Sequence, residues 1–82
     1  MEHIVVRVQP FVLEQEIQVY RDGECIDRKY ARMRDLEEEI ALQAKLHNIK
    51  DIDLTGTKIF TERIKTRLSQ NKFNLDLNIT VY

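Results

Sequence analysis

The sequence contains little of what marks secreted, membrane-spanning or disordered chains. Its single cysteine, Cys25, has no internal partner for a disulfide, which is typical of a reducing compartment. One proline and two glycines argue against disorder and against a Gly/Pro-rich all-β chain. No apolar run approaches the roughly 20 residues of a membrane span, and the first residues do not resemble a signal peptide. We therefore expect a cytoplasmic protein.

A strong charge of either sign is also missing, because the net charge is −1. No global field draws the chain toward nucleic acid or anionic lipid. The length of 82 residues predicts one small domain, residues 1–82. The stability of so small a domain depends on good packing or on oligomerisation.

The last ten residues, 73–82, alternate strictly between apolar and polar side chains. The apolar positions are Phe73, Leu75, Leu77, Ile79 and Val81. Strict alternation predicts a strand with one dry face and one wet face. A sheet of such strands needs helices on one face only.

Two strands are predicted near the N-terminus, at residues 3–9 and 13–21, with a turn at Pro10 and Phe11. The expected pairs are Val8 with Leu13 and Ile4 with Ile17. Gln15 would be the polar residue on the inner face of the second strand, so it requires a hydrogen-bond partner there.

Asp22 and Gly23 predict a two-residue type I′ hairpin, because both positions need a positive φ. The third strand then runs from Glu24 to about Tyr30. The expected pairs are Arg21 with Glu24, Tyr20 with Cys25, Val19 with Ile26, Gln18 with Asp27, and Glu16 with Lys29. This register places Arg28 on the inner face, which suggests a sheet edge.

Two helices with a strand between them complete the predicted elements. The first helix, residues 33–47, has a buried stripe and is capped by Asn48. Strand 50–55 follows, and Thr57 is the expected N-cap of a helix that reaches Gln70. The two stripes are Met33, Leu36, Ile40, Ala44 and His47, and then Phe60, Ile64 and Leu68. Asn71 and Lys72 are expected to end the second helix.

The order β-β-β-α-β-α-β predicts a single α/β (α+β) domain. Right-handed crossovers give a five-stranded mixed sheet in the order 3-2-1-4-5, with both helices on one face. This order resembles the ribonuclease H-like fold in its minimal form. Nucleases of that fold hold two metal ions with carboxylates, one of them on the first strand. Here residues 3–9 contain no acid, so the resemblance implies a scaffold and not a nuclease.

The favoured function is a non-catalytic protein-interaction or accessory module. We expect a homodimer that forms through the open sheet face or through an edge strand. The candidate interface residues are Val5, Tyr20, Cys25 and Tyr82 on the sheet, with Leu42 and Leu46 on the first helix. The open face is also expected to carry more acids than bases.

A nucleic-acid-binding accessory factor is the alternative. The second helix, 57–70, carries four cations and one acid. The candidate phosphate contacts are Lys58, Arg63, Lys65 and Arg67. No aromatic side chains are interleaved among them to stack on bases.

A metal-dependent nuclease or phosphatase is the weaker alternative, built on Asp51, Asp53 and Glu38. The run Asp51-Ile52-Asp53-Leu54-Thr55 resembles the nucleophile motif of haloacid dehalogenase-type phosphatases. Only 27 residues follow Thr55 (82 minus 55), which is too few for the other motifs of that family. Polar alternation on the outer face of a strand is the favoured explanation of the run. We expect no catalytic residue, metal or cofactor.

Overall fold

The described residues form five strands and two α-helices in the order that the sequence predicts. The computed structural model describes residues 1–70 and 73–82. The strands are β1 (Glu2–Val8), β2 (Gln15–Arg21), β3 (Glu24–Ala31), β4 (Asp51–Gly56) and β5 (Asn78–Val81), and the helices are α1 (Leu36–His47) and α2 (Lys58–Ser69). One mixed sheet in the order β3-β2-β1-β4-β5 lies within a single compact α+β domain. The predicted strand order is confirmed.

The apolar core lies on one face of the sheet, beneath both helices. Ile4 and Val6 of β1 are fully buried, whereas Val5 between them is half-buried on the opposite face. Ile40 of α1 and Ile64 of α2 belong to the same buried cluster as the strand residues. Burial on one face only follows from the alternation along the strands, since successive side chains point to opposite faces.

Two predicted backbone turns are confirmed. Asp22 and Gly23 have φ values of 54° and 80°, as a type I′ hairpin between β2 and β3 requires. Asn48, with a φ of 55°, ends α1 in the left-handed region. Its backbone N–H donates to the carbonyls of Ala44 and Lys45, which satisfies acceptors that the helix end would leave free.

The predicted register between β1 and β2 is wrong by two residues. Ile4 lies opposite Val19 and not opposite Ile17, and β2 begins at Gln15. Leu13, predicted to face inward opposite Val8, is exposed in the loop. A shift of two residues keeps every side chain on its original face, so the apolar pattern cannot detect it.

The buried side chain of Gln15 sets the conformation of the loop at residues 9–14. The Gln9 N–H donates to Gln15 Oε1 at 2.6 Å, and Gln15 Nε2 donates to the carbonyl of Gln9 at 2.8 Å. A longer contact of 3.5 Å joins Nε2 to the carbonyl of Val12. The prediction that Gln15 needs a partner is therefore confirmed, and the partner is the backbone of the loop.

A β-bulge corrects the predicted register of β3. Tyr20 pairs with Cys25 as predicted, but the register then shifts, and Val19 lies opposite Asp27. The wrong pairs are Val19 with Ile26, Gln18 with Asp27, and Glu16 with Lys29. Ile26 is the extra residue, and an extra residue in one strand turns every later side chain to the other face.

The bulge brings Asp27 to the helix face and Arg28 to the open face. The prediction that Arg28 faces inward is therefore wrong. Asp27 Oδ2 lies 3.3 Å from His47 Nε2 at the end of α1, so this contact joins β3 to the helix layer.

The C-terminal strand is shorter than predicted, because β5 begins at Asn78 and not at Phe73. Asn78 lies opposite Asp51, the first residue of β4, so earlier residues have no neighbour in the ladder. Asn74 also has a φ of 56°, which interrupts an extended chain. The apolar residues before β5 still pack against the core, and they are Phe73, Leu75 and Leu77.

The first helix begins later than predicted, whereas the second begins at Lys58, directly after its predicted N-cap. A 3-10 turn, Met33–Asp35, precedes α1, so the first predicted turn is not α-helical. Thr57 occupies the N-cap position of α2 as predicted, but its side chain makes no capping hydrogen bond. Asn71 and Lys72, predicted to end the second helix, lie outside the described residues.

Candidate interaction surfaces

The open face of the sheet carries a lateral hydrogen-bond network centred on Glu16. The hydroxyl of Tyr30 donates to Glu16 Oε2 at 2.9 Å, and Arg28 Nη1 reaches the same oxygen at 3.4 Å. Gln18 Nε2 donates to Glu16 Oε1 at 2.6 Å, and the Tyr20 hydroxyl donates to Gln18 Oε1 at 2.8 Å. The polar groups of β2 and β3 on this face are therefore satisfied by one another.

The network also affects titration on this face. The hydrogen bond to the Glu16 carboxylate raises the pKa of Tyr30, because it stabilises the protonated phenol. Electrostatic interaction with Cys25 and with the Glu16 carboxylate raises the pKa of Arg28. Arg28 and Tyr30 reach this face because of the bulge, which the sequence pattern did not reveal.

The predicted interface residues of the sheet are only partly available. Val5, Tyr20 and Cys25 are half-buried, whereas Tyr82 is 71% exposed. The ring of Tyr20 stacks on His3, with 5.2 Å between the centroids and 12° between the planes. Tyr20 thus has one ring face and its hydroxyl already in contact with neighbours.

The open face is less acidic than predicted. Asp27 was expected to belong to it, and the bulge moves Asp27 to the helix side. Arg28 takes a place on the open face, next to Glu16. Lys29, predicted opposite Glu16 on the open face, lies opposite Ile17 on the helix side, so Arg28 only replaces it as a base. The open face therefore loses one acid without a net gain of base, and its predicted acidic excess falls by one.

Helix α1 presents two leucines to solvent. Leu42 and Leu46 are 55% and 67% exposed, one turn apart. Leu42 and Ala41 line a shallow cleft together with Phe73 and Leu75 of the segment before β5. The structure thus leaves both predicted leucines accessible.

The cations of α2 are divided between two flanks of the helix. Thr61 and Ile64 define its buried side. Arg67 lies on the flank toward α1, where Nη1 bonds Glu37 Oε1 at 2.9 Å. By helical spacing, Lys58 and Lys65 lie on the flank away from α1.

Arg63, the fourth predicted phosphate contact, stacks over the ring of Phe60 at 5.6 Å from its centroid. Phe60 itself packs against the core. The four cations of α2 therefore do not form one continuous basic stripe.

The acids of the weaker alternative are not brought together. Asp51 and Asp53 lie on the open face of β4, where Asn78 Nδ2 donates to Asp51 Oδ1 at 3.2 Å. Glu38 is exposed on α1, which covers the opposite face of the sheet. Within residues 1–70 and 73–82, no three side chains of His, Cys, Asp or Glu are placed to share a metal ion.

Strand β3 forms one edge of the sheet, and it carries the features that oppose pairing with a further strand. The bulge at Ile26 interrupts the regularity of the strand. Its charged side chains are Glu24, Asp27, Arg28 and Lys29. Bulges and charges are the usual means by which proteins prevent edge-to-edge association.

Strand β5 forms the other edge, and it lacks these features. Asn78–Val81 contains no charged residue and no proline, and its register with β4 is regular. Thr80 is exposed, and Ile79 and Val81 are half-buried against the core. Among the described residues, no strand lies beyond β5.

Two residues of β5 direct their backbone N–H and C=O groups away from β4. The N–H groups of Asn78 and Tyr82 donate to carbonyls on the β4 side at 2.8 and 2.9 Å. Because successive residues in a strand direct their backbone groups to opposite sides, those of Ile79 and Val81 point away from β4. These groups form the free hydrogen-bonding edge.

The predicted order 3-2-1-4-5 places β5 at an edge of the sheet, but Ile79, Thr80 and Val81 are not among the predicted interface residues. The available signal was the uncharged run of six residues, 77–82, in an otherwise charge-rich chain. Phe11, which is 98% exposed, is also absent from the predicted interface residues, because its neighbours Val12 and Leu13 resemble the start of a strand.

No family model matches the chain, and no curated protein or solved structure matches it. In the part of the chain that the structure describes, no helix has the length and apolar character needed to cross a membrane.

Proposed function

We propose that the chain is a non-catalytic protein-interaction module that adds a strand of a partner to the free edge of β5. The observation that carries the proposal is the contrast between the two edges of the sheet. β3 is bulged and charged, whereas β5 is regular and uncharged. Strand addition to an exposed edge is a recurrent mode of protein recognition.

A partner strand would gain both backbone and side-chain contacts. The outward N–H and C=O groups of Ile79 and Val81 would enter a ladder, and each bond contributes about 0.5–1.5 kcal/mol net. The half-buried side chains of the same two residues would lose more of their contact with water. Association itself costs about 4 kcal/mol or more, so we expect a weak, reversible complex.

The open sheet face supports the proposal less well than the edge does. Its polar groups on β2 and β3 are hydrogen-bonded to one another, and Tyr20 stacks on His3. A partner on this face would have to replace those contacts, whereas a partner at β5 uses groups that β4 does not. Tyr20→Glu is therefore expected to leave strand addition unchanged.

We also propose that the fold is the ribonuclease H-like fold in its minimal form, because the strand order β3-β2-β1-β4-β5 resembles it. In the proposed function the fold acts as a scaffold that presents an edge. Glu38 lies on the opposite side of the sheet from Asp51 and Asp53. This separation supports the role of a scaffold over that of a metal-dependent enzyme.

The experiment is a titration with a synthetic strand. A fluorescent peptide with the sequence of residues 76–82, made soluble by two added lysines, is mixed with the protein, and its anisotropy is measured. We expect saturable binding in the micromolar to millimolar range. The control peptide carries N-methyl groups at the positions of Ile79 and Val81, which removes the N–H donors without changing the side chains.

Two protein variants make the test specific to the edge. Thr80→Lys should weaken peptide binding, whereas Thr66→Lys, the same change at an exposed site on α2, should not. Equal binding of the methylated and unmethylated peptides, or no binding at all, would overturn the proposed function.

A further inference from the structure

We infer that the strand added to β5 is β5 of a second copy of this chain, antiparallel and with Thr80 on the two-fold axis. The inference rests on the proposed function of the β5 edge. It gives that edge a definite partner and a single register, and it predicts one continuous sheet of twice five strands.

The symmetry of the pair follows from the geometry of the edge. A two-fold axis perpendicular to the sheet makes the two β5 strands antiparallel and keeps the helices of both copies on the same face. Such an interface is closed, so assembly stops at a dimer. Because β4 already occupies the other side of β5, no third copy can add to the same strand.

The sequence of β5 is compatible with its own copy. Asn78–Val81 brings no charge to the contact, so antiparallel self-pairing opposes no like charges. Threonine beside threonine is a favourable cross-strand pair. Self-pairing of β3 would bring Arg28 and Lys29 close to the same residues of the second copy, and the bulge would interrupt the ladder.

The outward backbone groups select the register. With Thr80 on the axis, Ile79 of each copy lies opposite Val81 of the other, and the two pairs exchange about four hydrogen bonds. This register uses only residues that are already in strand β5. With Ile79 on the axis, Leu77 would have to join the ladder, and Leu77 lies outside the strand.

The helix layer explains why the pairing should be weak. The flank of α2 that faces away from α1 overhangs the β5 side, because α2 packs on β4 and β5. That flank carries Lys58 and Lys65 with Glu62 as the acid, so each copy brings a net positive charge toward the axis. Salt should screen this repulsion and tighten the dimer.

Disulfide trapping tests the register. Cys25 is replaced by serine, and a single cysteine is then placed at position 80 by Thr80→Cys. Thr80 directs its backbone groups to β4, so Thr80 and its copy form a non-hydrogen-bonded pair with Cα atoms about 4.5 Å apart. This separation lies within the range of a disulfide. Under mild oxidation we expect a covalent dimer to form at least tenfold faster than in the controls.

Two matched controls use the same background. Asn78→Cys lies on the same face of the same strand, but in this register it is opposite Tyr82 of the second copy. Thr66→Cys is exposed on α2 and reports random collision. Cross-linking of Asn78→Cys as fast as Thr80→Cys would overturn the register. If no variant exceeds Thr66→Cys while the peptide still binds the edge, pairing of β5 between two folded copies is overturned and the proposed function stands.

Discussion

The two edge strands of this sheet, β3 and β5, differ in regularity and in charge. β3 has a bulge at Ile26 and four charged side chains, and one of them, Asp27, is turned inward to meet His47. β5 has no bulge and no charge, and its apolar side chains are half-buried. Under the proposed function, apolar content alone does not decide where this small sheet associates. Edge regularity and charge decide it, because they control whether a ladder can continue.

Among the changes that test this contrast, Thr80→Lys is expected to have the largest effect on dimerisation. In the symmetric pair the two new ammonium groups would face each other near the axis. Like charges at about 4 Å repel by about 1–4 kcal/mol, depending on exposure. Dimerisation should therefore weaken tenfold or more in sedimentation equilibrium. An unchanged dissociation constant, with Thr66→Lys as the charge control, would place the interface elsewhere.

Val81→Pro should have the next largest effect. The substitution removes an outward N–H that β4 does not use, and proline is tolerated at sheet edges. Each dimer loses two hydrogen bonds, or about 1–3 kcal/mol. Sedimentation should show weaker association, and the thermal midpoint at low concentration should fall only slightly, because the half-buried Val81 side chain loses part of its core contact. A dimer as tight as the parent would show that β5 backbone groups are not at the interface.

Conversion of β3 into a regular, less charged edge should have a smaller effect, and it should strengthen association where the previous two changes weaken it. Deletion of Ile26 removes the bulge and keeps Val19 opposite Asp27, and Arg28→Thr with Lys29→Thr removes two charges. We expect a new, weak association that Thr80→Lys does not abolish. If light scattering finds no additional association up to millimolar concentration, the bulge and charges are not what protects β3.

Salt should have the smallest effect. Because Lys58 and Lys65 overhang the β5 edge, raising sodium chloride from 50 to 500 mM should tighten the dimer about twofold. Nucleic-acid binding through α2 would respond in the opposite direction, since salt weakens phosphate contacts steeply. Sedimentation and a titration with a short DNA duplex, both across this salt range, separate the two.

Alternation and turn chemistry predicted the strand order, the hairpin at Asp22 and Gly23, and the left-handed cap at Asn48. These features depend on local residue types, which the sequence states directly. The β1–β2 register was not predictable in the same way, because a shift of two residues leaves every side chain on its face. It is set by the bonds from Gln15 to the loop backbone.

The candidate surface was predicted only in outline. The sequence identified β5 as an edge with an alternating pattern, but not its length, which depends on where β4 begins at Asp51. The bulge at Ile26 has no signal in the apolar pattern, and its consequences for Asp27 and Arg28 were therefore predicted incorrectly. Contacts that depend on a neighbouring strand could not be read from either strand alone.

Amide hydrogen exchange at low and high protein concentration tests the central claim most directly. The N–H groups of Ile79 and Val81 face away from β4, so they should exchange rapidly at about 10 µM and become protected as the concentration approaches 1 mM. Amides of β3 and of Tyr20 should not change. Protection that stays constant at Ile79 and Val81, or that increases at β3 instead, would contradict the account.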